Sequence, residues 1–161
     1  MDSLTPAQRS ERMSRIRSSG TGPEIRLAAE LRKSRFKFTA NESSLPGKPD
    51  FVFLRYKVIV FVHGCFWHGH VCQKERVPKT NSDFWREKVL RNRTRDARVT
   101  RSLRAKGWSV LTVWECRIKT SGACSHEALR VLSWLKRKTR ASYKGQKNIS
   151  VLKNSSDLPI P

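Results

Sequence analysis

The stretch of the chain richest in β-forming residues is Phe51-Val52-Phe53-Leu54-Arg55-Tyr56-Lys57-Val58-Ile59-Val60-Phe61-Val62. It has one apolar run at 51–54 and, after Arg55-Tyr56, a second at 57–62. Such runs of Val, Ile and Phe are typical of strands, and a two-residue break has the length of a hairpin turn. The pattern therefore predicts a β-hairpin, although the break contains neither Gly nor Asn.

Upstream of this hairpin the sequence predicts a helix and a further strand. Thr21-Gly22-Pro23-Glu24 fits a capping box with Pro23 in the first turn, so a helix should begin at Thr21. Its apolar face is formed by Leu27, Ala28 and Leu31. The stretch 36–39 alternates apolar and polar residues in the manner of a strand.

Downstream, a long helix is predicted from an N-cap at Ser82 to Lys106, where Gly107 ends it. A third apolar strand should follow at 108–114, and a last helix at 125–138. The residues expected to point inward from that helix are Leu129, Leu132 and Leu135.

The order helix, strand, hairpin, helix, strand, helix indicates an α/β fold with a mixed sheet between helices. We expect three segments: 1–20, which carries a short helix at 6–17; a folded domain at 21–140; and a basic, flexible tail at 141–161. A length of 161 residues is that of about one domain.

The charge predicts a polyanionic partner. The chain has 34 Lys and Arg against 13 Asp and Glu, a net charge of +21, and the excess runs from Arg9 to Lys153. For a folded protein of this size that favours nucleic acid over a membrane surface or an acidic protein.

There is no apolar run of membrane-spanning length and no export signal at the N-terminus, so we expect a cytoplasmic protein. Four cysteines are too few for a disulfide framework.

A metal site is predicted where two Cys and two His fall within eight residues, Cys65-Phe66-Trp67-His68-Gly69-His70-Val71-Cys72. Zinc prefers four soft or borderline ligands in a tetrahedron. The quartet that we select is Cys65, His70, Cys72 and Cys116. With all four positions filled, such a site would be structural rather than catalytic.

Alternatives to this quartet remain open at the level of sequence. Cys124 competes for the fourth position, and the thiols could also be free or form a Cys65–Cys72 disulfide. The selected quartet leaves His68 unused and sets Phe66 and Trp67 on the same loop. Aromatic residues on a basic surface can stack on bases or wedge between base pairs, although both could equally be core side chains.

A second, catalytic metal could bind at Asp50, which precedes the hairpin. Mg²⁺ keeps several waters and needs few protein ligands, so one carboxylate and a backbone carbonyl can suffice. The Glu-x-Lys that nucleases with Pro-Asp often carry on the next strand is absent here. The other residues of a catalytic site would therefore have to be Glu24, His63 or His68, although Glu24 is equally explained as the capping-box residue.

The residues gathered above resemble one family, the very-short-patch mismatch repair endonucleases (Vsr). The resemblance spans roughly residues 9–118, and its most specific element is His63-Gly64-Cys65-Phe66-Trp67-His68 with its Cys/His spacing. Three further stretches support it: Met13–Arg17 with Pro23-Glu24, Leu45–Val52, and 84–88 running on to 107–116.

The resemblance implies a restriction-endonuclease-like fold and a nick 5′ of the thymine in a T·G mismatch left by deamination of 5-methylcytosine. It implies that Mg²⁺ binds Asp50 and the main-chain carbonyl of Val62. His68 would be the general base, and His63 and Glu24 would order metal-bound waters. The quartet chosen from spacing matches the structural zinc ligands of the family.

The resemblance also makes 21–140 the endonuclease domain and implies contacts with DNA, including contacts by the segment 1–20. Phe66 and Trp67 match intercalating aromatics, Met13 and Ile16 match a segment that approaches the minor groove, and Lys88 with Asn92 match residues that contact the mismatch. Without the resemblance, Lys88 and Asn92 would be ordinary polar residues on a helix surface. We expect a monomer at the bacterial nucleoid, with mismatch-repair proteins as further partners.

Two other functions compete with this interpretation. One is a restriction-type endonuclease of the same fold, and the other is a zinc-stabilised DNA-binding protein without catalysis. An RNA-binding protein would fit the charge but not the zinc loop.

Overall fold

The computed structural model describes residues 19–73, 78 and 81–153 together with positions 5, 8 and 11, and it describes side chains as far as Lys138. Within these residues the sheet has four strands in the order β1-β2-β3-β4. Their bounds are Thr39–Ala40, Phe51–Phe53, Val58–His63 and Ser109–Trp114. β1 and β3 pair antiparallel with β2, and β4 pairs parallel with β3, which confirms the predicted mixed sheet.

Alternate residues of the hairpin enter two different cores, one on each face of the sheet. Phe51, Phe53, Val58 and Val60 face one core, and Val52, Ile59 and Phe61 face the other. Helices α1 (Gly22–Arg32) and α3 (Ser121–Lys153) cover the first face, where Leu27, Leu31, Val131 and Leu135 are fully buried. Because both faces are covered, β2 and the first four residues of β3 are buried throughout.

Helix α2 (Ser82–Ala105) covers the second face with a stripe of inward positions spaced alternately by four and three residues. This stripe consists of Trp85, Val89, Asn92, Asp96, Val99 and Leu103. The helix ends as predicted, with Gly107 at a φ of +81° and its N–H donated to the Arg104 carbonyl at 2.9 Å. The two polar members of the stripe, Asn92 and Asp96, lie in the middle of the helix and bring it into the functional site.

The hairpin connection differs from the predicted two-residue turn. Leu54–Tyr56 forms a single 3-10 turn, and Lys57 adopts a left-handed conformation with a φ of 51°. The Lys57 N–H donates to the Leu54 carbonyl at 3.1 Å, and its ammonium lies 4.8 Å from the centre of the Trp108 ring. A left-handed residue that is neither Gly nor Asn is uncommon, so the sequence gives no turn signal here.

Two predicted elements have bounds that are wrong by three residues or more, whereas the others that the structure describes differ by one. The stretch 36–38 is not part of a strand, and β1 has only Thr39 and Ala40, although Phe36 and Phe38 still pack on the core. Helix α3 begins at 121 instead of 125 and continues to Lys153 instead of ending at 138. Its last residues belong to the predicted tail segment 141–161, of which 154–161 lie outside the described part.

The inward face of α3 is also different from the predicted one. Leu129 is 61 % exposed, Leu132 is half-buried, and Leu135 alone of the three is fully buried. The buried stripe instead contains Cys124, Ala128, Val131 and Leu135. The prediction favoured leucines, whereas the close approach of α3 to α1 selects two smaller side chains.

The predicted N-terminal helix at 6–17, with Met13 and Ile16, falls almost wholly outside the described residues. Among the helices that the structure describes, none has the length and apolar character needed to cross a membrane.

Candidate active site

The predicted site residues converge at one edge of the sheet because of the strand directions. β3 and β4 are parallel, so their carboxyl ends, His63 and Trp114, are paired neighbours. β2 runs antiparallel to β3, so Asp50, just before β2, lies at the same edge. The side chains there form three groups, which we call the Cys/His cluster, the histidine–aspartate cluster and the carboxylate pair.

The Cys/His cluster consists of Cys65, His70, Cys72 and Cys116, whose ligand atoms all lie within 4.8 Å of one another. The Nδ1 of His70 is 3.0 Å from the Cys72 sulfur and 3.7 Å from the Cys116 sulfur. Three thiols and one imidazole are a donor set that suits zinc. The structure thus brings together the quartet selected from spacing.

Two of the alternatives to this quartet do not fit the fold. Cys124 is buried in the core between α1 and α3, among residues such as Leu27 and Val131. All four cysteines are free thiols. The competition of Cys124 for the fourth position and the Cys65–Cys72 disulfide are therefore both set aside.

The thiols of the Cys/His cluster differ in their tendency to ionise. The hydrogen bond from His70 lowers the pKa of the exposed Cys72 to about 7, whereas burial raises the pKa of Cys65 to about 12. Metal ligation requires thiolates, so a buried thiol such as Cys65 needs a nearby positive charge. A bound cation would provide that charge.

The loop that carries this cluster is pressed against α2. Gly69 has a φ of +63°, and a Cβ at this position would lie 2.6 Å from Cγ1 of Val89. The side-chain amide of Asn92 donates to the Trp67 main-chain carbonyl at 2.8 Å. Asn92 therefore anchors the loop, whereas Lys88, one turn earlier on the same helix, is exposed. The resemblance assigns both Lys88 and Asn92 to contact with the mismatch, but in the structure only Lys88 is exposed to solvent.

The histidine–aspartate cluster consists of His63, His68 and Asp96. The two imidazoles stack with ring centres 3.9 Å apart, and the His68 Nδ1 is hydrogen-bonded to the Asp96 carboxylate. A proton held on Nδ1 by the carboxylate leaves the Nε2 of His68 as a proton acceptor. Burial lowers the pKa of His63 to about 4, and the charge of His68 acts in the same direction.

Asp96 is a functional candidate that sequence reasoning missed. It follows Asn92 by four residues on the inward stripe of α2, and that spacing was the only local signal. The Trp114 ring connects the two histidine-containing clusters, with its centre 5.5 Å from that of His63 and 4.3 Å from that of His70.

The carboxylate pair consists of Asp50 and Glu24. Asp50 accepts a hydrogen bond from the Val62 N–H at 2.6 Å. Burial nevertheless raises the pKa of Asp50 to about 7, and the negative charge of Glu24 acts in the same direction. A half-buried acid beside a buried one favours a cation at the site, and oxygen donors suit Mg²⁺.

Glu24 is also bonded to the two residues that precede its helix. It is 7 % exposed, and its carboxylate accepts the Gly20 N–H and the Thr21 hydroxyl, each at 2.7 Å. The Thr21 side chain makes no bond to the helix backbone, and Glu24 bonds the N–H of Gly20 instead of that of the N-cap Thr21, so neither backbone bond of a capping box is formed. The bonds to Gly20 and Thr21 hold Glu24 at the sheet edge.

The aromatic residues of the loop pack on a third ring. Phe66 and Trp67 are half-buried, with ring centres 5.4 and 6.1 Å from that of the buried Trp85 on α2. Trp85 is a further member of this group that the sequence did not single out. Met13 and Ile16, predicted to act beside them, lie outside the described residues.

The fold and the three groups define a class: an α/β protein with a metal-type Cys/His cluster beside a polar site of histidines and carboxylates. Comparison with known proteins identifies its relatives. A family model described as DNA mismatch endonuclease Vsr matches residues 1–74.

Relatives match most of the chain. The DNA mismatch endonuclease Vsr of Escherichia coli is 42 % identical over 131 residues, which cover 80 % of this chain and 84 % of that protein. The type II nicking enzyme V.NmeAIP of Neisseria meningitidis is 39 % identical over 84 % of this chain and 96 % of that protein. V.XorIIP of Xanthomonas oryzae, also named a type II nicking enzyme, is 39 % identical over 81 % of this chain and 96 % of that protein. The chain therefore belongs to the Vsr family of DNA mismatch endonucleases.

Proposed function

We propose that this endonuclease nicks DNA on the 5′ side of the thymine in a T·G mismatch and so starts very-short-patch repair of deaminated 5-methylcytosine. The observation that carries the proposal is the hydrogen-bonded His68–Asp96 pair at the same sheet edge as Asp50. This arrangement combines a proton acceptor with a cation site, which are the two needs of phosphodiester hydrolysis.

Two metals are proposed. Mg²⁺ would be held by Asp50 and the main-chain carbonyl of Val62, and it would supply charge stabilisation at the phosphate. Zinc would be held by the Cys/His cluster and would fix the loop that carries His68. The acids at the first site and the three thiols at the second favour these different metals.

The proposed general base is His68. Its Nε2 accepts a proton from the attacking water, while Asp96 fixes the ring and stabilises the imidazolium that results. His63, stacked on His68, and Glu24, beside Asp50, hold waters at the site through hydrogen bonds.

Recognition of the mismatch is assigned to the aromatic group and to α2. Phe66 and Trp67 wedge between base pairs, and Trp85 supports them from behind. Unstacking should cost less at a weakly stacked T·G pair than at a matched step. Lys88 is exposed and free to reach a base edge, whereas Asn92 acts through the Trp67 carbonyl. The minor-groove role of Met13 and Ile16 remains a prediction.

Other parts of the proposal rest on the family and on charge. We propose that the protein acts as a monomer on cytoplasmic, nucleoid DNA and that mismatch-repair proteins assist it. The net charge of +21 suits a DNA substrate.

The test separates catalysis from binding. Asp50→Asn removes the charge that would hold Mg²⁺ and keeps the size of the side chain. We expect Mg²⁺-dependent nicking by the wild type, none by Asp50→Asn, and equal binding of T·G duplexes by both in EDTA. Undiminished cleavage by Asp50→Asn would overturn the metal assignment. Equal cleavage of a matched duplex would instead indicate a restriction-type activity.

A further inference from the structure

Arg95 lies next to the histidine–aspartate cluster and has no role in the mechanism above. Its Nη2 is 3.4 Å from Oδ1 of Asp96, and the other oxygen of that carboxylate is bonded to His68. The Arg95 side chain is 56 % exposed. One carboxylate thus separates a solvent-facing guanidinium from the proposed general base.

The guanidinium has unused binding capacity. Arginine carries five N–H donors in a planar fork that matches two oxygens of a phosphate. Among the described residues, Arg95 has only the Asp96 carboxylate as an ion-pair partner, at one of its nitrogens. An exposed ion pair of this kind adds little to folding stability, so stability does not account for it.

Other arginines on α2 have different surroundings. Arg86 and Arg91 face Asp83 and Glu87 on the same helix surface, at 3.5 and 3.7 Å. Arg98 is exposed and makes no ion pair within the described part of the chain. Of these four, Arg95 is the one whose partner belongs to a cluster at the sheet edge.

We infer that Arg95 binds a phosphate of the strand that is cut, within one nucleotide of the scissile bond, and positions Asp96 and, through it, His68. The inference rests on the proposed function, because it takes DNA as the substrate and His68 as the base. Arg95 is a positioning residue toward His68 and a binding residue toward the phosphate. DNA contact and orientation of the base would then be coupled through one side chain.

The first test measures binding without cleavage. T·G duplexes, each with one neutral methylphosphonate near the thymine, are titrated in EDTA with Asp50→Asn alone and with Asp50→Asn combined with Arg95→Gln or Arg98→Gln. Removal of a charge-assisted contact should cost roughly tenfold or more in affinity. For Asp50→Asn alone, we expect this loss of affinity when the methylphosphonate replaces one particular phosphate beside the nick. The same replacement should cause no loss of affinity in the double variant with Arg95→Gln, and it should cause the full loss in the double variant with Arg98→Gln.

The binding test can fail independently of the proposed function. If every methylphosphonate weakens the Arg95→Gln and Arg98→Gln proteins equally, the phosphate contact does not exist, whether or not T·G duplexes are nicked. If the wild type does not nick T·G duplexes but the methylphosphonate effect still depends on Arg95, the proposed function is contradicted and the phosphate contact is not.

The second test addresses positioning of His68 at saturating DNA. We expect Arg95→Gln to lower kcat about ten- to a hundredfold, Arg95→Lys to restore part of it, and Arg98→Gln to change KM but not kcat. Thermal melts should be the same for all three variants because both arginines are exposed. Equal kcat values for Arg95→Gln and Arg98→Gln would overturn the positioning role.

Discussion

His68 and Asp96 lie 28 residues apart in the chain and are joined by a direct hydrogen bond between the histidine Nδ1 and a carboxylate oxygen. His68 stands on the loop that carries the Cys/His cluster, and Asp96 stands in the middle of α2. The bond therefore connects the proposed general base to the helix that covers the second face of the sheet.

Asp96→Asn should abolish most of the activity. The amide can neither hold the proton on Nδ1 of His68 nor stabilise the imidazolium, so we expect a fall in kcat of about 10² to 10⁴ with DNA affinity retained. Single-turnover nicking of a T·G duplex measures this effect. Asp83→Asn on the same helix, with a side chain 96 % exposed, is the control and should stay near the wild-type rate. Similar rates for the two variants would refute the role of Asp96.

Asn92→Ala should loosen the loop anchor. Loss of the hydrogen bond to the Trp67 carbonyl should lower the free energy of unfolding by about 1 kcal/mol. Because Trp67 is a proposed wedge, the preference for T·G over C·G duplexes should fall by more than the overall affinity. Binding titrations with both duplexes measure this, and Thr94→Ala, exposed on the same helix, is the control. An unchanged preference would mean that Asn92 does not act through Trp67.

Gly69→Ala should destabilise the protein by about 1 to 3 kcal/mol, because the new Cβ meets Val89 and the backbone has a positive φ. Adding Val89→Ala should restore the share of the lost free energy of unfolding that the clash causes. The share that the positive φ of residue 69 causes should remain. Gly122→Ala in α3 is the control, since a Cβ there meets nothing within 4 Å and its φ is not in the left-handed range. It should be neutral or slightly stabilising. The free energies of unfolding are measured with denaturant. Equal values for Gly69→Ala and Gly122→Ala would contradict the close approach of Gly69 to Val89.

Metal analysis of the purified protein should find one zinc per chain, which a strong chelator removes. We expect Cys116→Ser to lose zinc and to melt at a lower temperature, because the remaining ligands can no longer close the site. Cys124→Ser should keep its zinc, since Cys124 lies in the core between α1 and α3. Loss of zinc from both variants alike would show that the quartet is wrong.

Core packing gives a prediction that is independent of function. Leu135→Ala should cost about 2 to 5 kcal/mol because the side chain is fully buried, whereas Leu129→Ala should stay within about 0.5 kcal/mol. Denaturant midpoints of the two variants test the described face of α3 against the one that the sequence predicts. Comparable losses would favour the sequence-based assignment.

Local patterns in the sequence were sufficient for much of this fold. The runs at 51–54 and 57–62 predicted the hairpin, and the close spacing of Cys65, His70 and Cys72 predicted the ligand cluster. These features depend on side-chain alternation and on spacing within a few residues, which a sequence displays directly.

Features that depend on distant contacts were not predicted. Asp96 belongs to the site because α2 crosses the sheet with its polar inward positions facing His68, and no local pattern gives that crossing. The burial of Cys124 and Ala128 instead of Leu129 follows from how closely α3 approaches α1. The left-handed Lys57 is stabilised by its surroundings, including the Trp108 ring, and not by a turn-forming residue.

Strand-specific cleavage measures the proposed activity most directly. End-labelled duplexes that carry T·G, C·G or T·A at one position in several flanking sequences are incubated with the protein in Mg²⁺ or in EDTA. We expect one nick, on the 5′ side of the thymine, in T·G duplexes with Mg²⁺ alone. Tight binding of every duplex with no cleavage in any of them would contradict the roles of Asp50 and His68 in catalysis.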